Sequence, residues 1–170
     1  MDKILVLDFG GQYNQLIARR VREQHIFAQI IPYNRISVEE IIEDGYRGII
    51  FTGGPSSVYE EGAPSFDEKI LDIGIPILGI CYGAQLIAHL GKGEVGKAEN
   101  REYGKIVFHH EKSVFFEDVP EDSVCWMSHS DYISRLPEEF DVTAHSGNCP
   151  CAAVFCLQRE SSTACSFIPR

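Results

Sequence analysis

The sequence predicts an α/β domain: a mostly parallel sheet with helices on both faces, followed by a small antiparallel extension. Three observations lead there. Short apolar runs ending in glycine or a polar turn alternate with amphipathic segments as far as Leu90. Past Gly91-Lys92-Gly93 the pattern changes to strand-like stretches separated by turns, with no repeat, low-complexity tract or linker. The 170 residues, 44% of them hydrophobic, suffice for one well-buried core.

Taken in order, Ile4-Leu5-Val6-Leu7-Asp8-Phe9 reads as a first buried strand, closed by Gly10-Gly11. A helix follows from about Gln12 to Gln24, with Tyr13, Leu16, Ile17 and Val21 as its apolar stripe. Phe27 to Ile31 is a second strand, stopped by Pro32. Ser37-Val38-Glu39-Glu40 has capping-box spacing and opens a short helix through Ile42. Gly48 to Thr52 is a third strand. Ser65-Phe66-Asp67-Glu68 repeats the capping-box spacing and predicts another helix, through about Ile73. The run Gly74 to Ile80 is the fourth strand, and Ala84 to Leu90 the helix after it. Tyr103 to Phe108, Ser123 to Met127 and Phe140 to His145 read as antiparallel strands.

Composition narrows the function. A formal charge of -10 argues against nucleic acid as a direct partner. No apolar run approaches a membrane span, and Met1-Asp2-Lys3 leads straight into a strand, so a cytoplasmic protein is expected. The cysteines at 81, 125, 149, 151, 156 and 165 then read as free thiols. No metal site is expected, since Cys149-Pro150-Cys151 has the wrong spacing for a zinc knuckle. Neither a Gly-x-Gly-x-x-Gly nor a Walker pattern supports a nucleotide binder.

In such sheets ligands bind beyond the carboxyl ends of the strands, where Asp8 to Gly11, Thr52 to Pro55 and Cys81 to Gly83 should converge. Cys81 stands between Gly79 and Gly83 at a strand-to-helix turn, the geometry of a nucleophile elbow. The positive end of the helix would favour its thiolate; a buried core cysteine is the alternative. A glycine amide of Gly53-Gly54-Pro55 and the amide of Tyr82 could form an oxyanion hole, unless the glycines are a plain turn. Gln85, one helical turn past Cys81, could reach a substrate or simply face water. Among six histidines, His25 and His89 lie at helix ends and His109-His110 begins a charged turn. His129, in Trp126-Met127-Ser128-His129-Ser130-Asp131, reads as part of a polar loop. None sits at the end of a plainly parallel strand.

Gly79-Ile80-Cys81-Tyr82-Gly83-Ala84-Gln85 and Thr52-Gly53-Gly54-Pro55-Ser56-Ser57-Val58 resemble the triad type of class I glutamine amidotransferases. Leu5 to Tyr13, Arg101-Glu102-Tyr103-Gly104 and Trp126 to His129 narrow the resemblance to the glutaminase domains of GMP synthases, over about Ile4 to Ala153. The resemblance implies a flavodoxin-like sheet, incomplete at its C-terminus. It implies that Cys81 attacks the side-chain amide of glutamine, with Gly54 and Tyr82 as oxyanion-hole donors and Gln85 on the substrate. Ser128, His129, Ser130 and Asp131 would help line the glutamine pocket. No cofactor is implied for the glutaminase. ATP and magnesium would belong to the ATP-pyrophosphatase half that aminates XMP, the implied partner, which this chain does not contain.

The family completes its triad with a late strand of the form Leu-Tyr-Gly-Val-Gln-Phe-His-Pro-Glu, and this sequence has no such segment. Residues 156–170 have weak periodicity and a serine- and cysteine-rich composition, so the glutaminase domain is expected to end near residue 155. Ser162 to Arg170 can be written TCT ACG GCG TGC AGT TTC ATC CCG AGG. Preceded by the last base of an AGC codon for Ser161 and regrouped, this reads CTC TAC GGC GTG CAG TTT CAT CCC GAG, which encodes Leu-Tyr-Gly-Val-Gln-Phe-His-Pro-Glu. A single-base frameshift between about Ala153 and Gln158 is the expectation, with loss of the late strand, lower stability and little or no turnover.

Overall fold

The structure is a computed structural model that describes residues 2–113, 116–138, 140–156 and 162–165; the side chains of 98–103, 128–130, 155, 156 and 162–165 lie outside the description. One sheet of nine strands runs through it in the order β2-β1-β3-β4-β9-β8-β7-β5-β6. These strands are β1 (Lys3–Asp8), β2 (Phe27–Pro32), β3 (Gly48–Phe51), β4 (Ile77–Ile80), β5 (Glu94–His110), β6 (Asp122–Arg135), β7 (Phe140–Ser146), β8 (Ala153–Cys156) and β9 (Ser162–Cys165). β2, β1, β3, β4 and β9 pair in parallel, and the rest pair antiparallel. The predicted parallel sheet with an antiparallel extension is what forms.

The central strands are apolar because both faces are covered. Leu5, Leu7, Ile49, Phe51 and Ile77 pack on one side with Leu86 and Ile87. Val6, Ile50 and Ile80 pack on the other with Ala18, and with Phe108, Cys125 and Met127 of the antiparallel half. Helix α1 (Asn14–Glu23) covers that second side, but with a different stripe from the one predicted. Asn14 and Ala18 are its buried positions, Ile17 and Val21 are partly buried, and Tyr13 and Leu16 face solvent. Small Ala18 lets the helix sit close to the sheet, which turns Leu16 outward.

Helix α2 (Val38–Glu43) has the predicted capping box, with Glu40 N–H donating to Ser37 Oγ at 3.2 Å and Ser37 N–H to Glu40 Oε2 at 2.7 Å. The second predicted box does not form. Asp67, not Ser65, is the cap, accepting from Lys69 N–H at 2.9 Å, and the segment is a five-residue 3₁₀ turn, Glu68–Asp72. Gly74 in the left-handed region and Pro76 follow too soon for an α-helix to propagate.

Three corrections concern the second half. β5 and β6 are far longer than predicted, because their ladder continues past the core through polar residues, with register shifts at Glu94/Val95 and Lys97/Glu102. The segment at 128–130, read as a loop, is part of strand β6, and His109-His110 ends strand β5 instead of opening a turn. The late strand is not lost: β9 forms beside β4 with Ile77 opposite Ser162 and Ile80 opposite Cys165. A ladder is built from backbone groups, so small residues can occupy a strand position that a different sequence would fill.

Candidate active site

Strand β4 ends at Ile80, and helix α3 (Tyr82–Leu90) begins two residues earlier than predicted, with Cys81 as its N-cap. Cys81 has φ 52° and ψ -113°. A non-glycine residue held at positive φ costs about 1–3 kcal/mol and persists where the surroundings over-determine it. Here the carbonyl of Cys81 accepts from the amides of Ala84 at 3.0 Å and Gln85 at 3.2 Å. A Cβ on Gly79 would lie 2.7 Å from Ala84 N, and one on Gly83 would lie 2.6 Å from the Phe51 carbonyl carbon. The two glycines let strand and helix meet closely enough to make the elbow.

The turn after β3 lies alongside. A Cβ on Gly53 would be 3.7 Å from Cys81 Cβ, and one on Gly54 would be 2.8 Å from Phe9 O and 3.2 Å from Tyr82 Cγ. Buried Thr52 ties this turn to β1: its hydroxyl donates to Leu7 O at 2.9 Å and accepts from Phe9 N–H at 3.3 Å. Asp8 accepts from Gly10 N–H at 2.7 Å and fixes the turn after β1. The amide of Tyr82 is the first of α3 and has no acceptor within the helix. A cleft of about 350 Å³ opens here, lined by Gly10, Gly11, Tyr13, Gly54 and Cys81 among others. The three strand ends converge as the sequence predicts.

The thiol itself departs from expectation. Burial pushes Cys81 up to about 11, so loss of water outweighs the helix N-terminus that was expected to favour the thiolate. Burial likewise raises the Tyr82 phenol to about 12, with smaller contributions from Tyr33 and Glu60. That phenol donates to Pro64 O, and its ring packs 5.8 Å from Phe9.

Gln85 is buried, 5% exposed, and its Nε2 donates to the main-chain carbonyl of Asp131 at 3.2 Å. The Asp131 carboxylate accepts from Ser57 Oγ and from Tyr59 O–H, the latter at 2.9 Å. Gly54, Cys81, Tyr82, Gln85 and Asp131 therefore belong to one connected region. The side chains of Ser128, His129 and Ser130 lie outside the described residues. His110 is held by carbonyls of Glu111 and Pro120, and His109 pairs with Asp122 and stacks near His145. Sequence reasoning missed the parts played by Thr52, Ser57 and Tyr59, although Thr52 and Ser57 stand inside the Thr52 to Val58 motif.

Known proteins share this arrangement. The family model for glutamine amidotransferase class-I matches residues 5–166. GMP synthase (glutamine-hydrolyzing) of Clostridium botulinum strain Kyoto is 55% identical over 158 residues, 92% of this chain and 31% of that protein. The protein of the same description from Caldicellulosiruptor saccharolyticus is 57% identical over 151 residues, 88% of this chain and 29% of that one. This chain thus spans under a third of the length of these curated relatives. A protein of Thermoplasma acidophilum, proposed to be one of the subunits of a GMP synthase, superposes with a TM-score of 0.87 at 33% identity, over 98% of this chain and 83% of the other. A glutamine amidotransferase of Thermotoga maritima, at 21% identity, shares the fold with a TM-score of 0.79, over 98% of this chain and 75% of that one. The chain belongs to the class I glutamine amidotransferase family.

Proposed function

We propose that this chain is the glutaminase portion of a GMP synthase. The strained Cys81 elbow, set between the Gly54 turn and the first amide of α3, carries the reading. Cys81 Sγ attacks the side-chain amide carbon of glutamine, and the resulting oxyanion accepts from the amides of Gly54 and Tyr82. Collapse expels ammonia, with a proton delivered to the leaving nitrogen, and leaves a glutamyl thioester that water hydrolyses to glutamate. The ammonia then serves a synthetase that uses ATP and magnesium to aminate XMP. Likeness to the Thermoplasma protein, itself one of several subunits, supports that synthetase being a separate chain, to which this one docks as the glutamine-binding component.

Turnover by this chain is proposed to be slight. The sequence has no His-Pro-Glu to take the thiol proton and return it to ammonia, and such general acid–base help contributes about 10²–10⁴-fold. The register of β9 supports a frameshifted tail over 156–170: Cys165 lies opposite Ile80, so the chain leaves β9 at the sheet edge where Cys81 sits. The test compares this chain with one in which Leu-Tyr-Gly-Val-Gln-Phe-His-Pro-Glu replaces Ser162 to Arg170. Glutamine should bind both, and ammonia release should rise at least 100-fold in the second and vanish with Cys81→Ala. Absence of glutamine binding in both would overturn the glutaminase reading. Equal turnover in both would overturn the account of the tail.

A further inference from the structure

We infer that Asp131 is a positioning residue that clamps the oxyanion turn, an inference that rests on the glutaminase reading. The resemblance implies a place for Asp131 in the glutamine pocket, yet its carboxylate is engaged from the other direction. Ser57 and Tyr59, three and five residues past Gly54, both donate to it, while its main-chain carbonyl takes Gln85 Nε2. One buried residue of β6, 7% exposed, thus joins the turn after β3 to the helix that begins at the nucleophile.

The turn needs such a clamp. Gly53 and Gly54 have no side chains with which to hold themselves, and glycine gives the backbone wide freedom. An oxyanion donor is useful only within about 2.7–3.1 Å of the developing charge, and a misplacement of about 1 Å can cost 100-fold. Hydrogen bonds to a buried carboxylate are stronger than those between neutral groups and directional enough to fix the segment that follows Gly54. Thr52 anchors the turn on one side of the glycines and Asp131 on the other.

The test uses the intact chain and three variants: Asp131→Asn, the double variant Ser57→Ala/Tyr59→Phe, and Ser57→Thr, which keeps the hydroxyl. Hydrogen exchange of the Gly53 and Gly54 amides is measured without ligand. Affinity is measured for glutamine and for its side-chain aldehyde. The thiol adds to the aldehyde carbonyl carbon, its proton moves to the oxygen, and the adduct oxygen occupies the oxyanion hole. Asp131→Asn and the double variant should exchange these amides about 10-fold faster and bind the aldehyde about 10-fold more weakly, with glutamine affinity changed less than about 2-fold. Ser57→Thr should behave as the parent. A residue that only supports the fold would lower the melting temperature without separating aldehyde from glutamine, and that result overturns the inference. So does unchanged exchange at Gly53 and Gly54 in the double variant, which keeps Asp131 itself. If the parent fails to bind the aldehyde, the glutaminase reading falls, and the exchange data still decide whether the clamp exists.

Discussion

The buried thiol of Cys81 should betray itself in the pH dependence of its reaction with a small neutral disulfide such as hydroxyethyl disulfide. An ordinary thiol titrates near 8.5, so about a quarter is thiolate at pH 8. With the thiol at about 11, that fraction falls to about one in a thousand, a loss of roughly 240-fold. The more basic thiolate is a better nucleophile, and a Brønsted slope of about 0.4–0.5 returns roughly 10- to 18-fold. The net expectation is a reaction about 15- to 25-fold slower than that of glutathione, read by mass spectrometry of the Cys81 peptide. The logarithm of the rate should climb with unit slope from pH 7 to 10 and level only near pH 11. Levelling below pH 9, or a rate at pH 8 within 2-fold of glutathione, would refute the argument that burial governs this thiol. The same shift has a sign for stability. A folded-state value above the unfolded one gives stability that is full below about pH 8.5 and is lost as pH rises through about 11.

Two further outcomes test the packing that makes the elbow. Gly83→Ala would push a Cβ to 2.6 Å from the Phe51 carbonyl carbon, so α3 must shift from β3; we expect a loss of about 1–3 kcal/mol or more in urea unfolding. Thr52→Val keeps the shape of a fully buried residue but removes the acceptor for Phe9 N–H and the donor to Leu7 O, and should cost about 1–3 kcal/mol.

How much of this the sequence reveals follows from what each feature depends on. The parallel half was legible because strands covered on both faces must be continuously apolar, as Leu5 to Leu7 and Ile49 to Phe51 are. The elbow was legible because only small residues fit at Gly79 and Gly83. Hidden features were those set by distant partners. Leu16 has helical spacing yet faces solvent, because the depth at which α1 packs is fixed by Ala18. Asp131 could be placed near the site, but nothing local says that its carboxylate turns toward Ser57 and Tyr59, more than 70 residues away. The thiol was misjudged for the same reason: a helix N-terminus can be read from the chain, whereas the desolvation that outweighs it is a property of the packed whole.

The tail shows which parts of a fold tolerate loss of sequence. In parallel pairs the strands finish at the same edge of the sheet, so whatever follows Cys165 leaves β9 close to where Cys81 leaves β4. The strand asks only for extended residues with free backbone amides, and Ser162-Thr163-Ala164-Cys165 supplies them. The proposed chemistry at that edge asks for one imidazole, oriented by one carboxylate, and neither backbone nor neighbouring side chains can stand in for it. A shift of one base can therefore leave the sheet order intact and still separate a formed nucleophile elbow from its proton carrier. Reading the coding DNA downstream of Ala153 decides it: an unbroken frame with unrelated codons across Ser162 to Arg170 would refute the shift, and a frame resuming the histidine codon one base earlier would establish it.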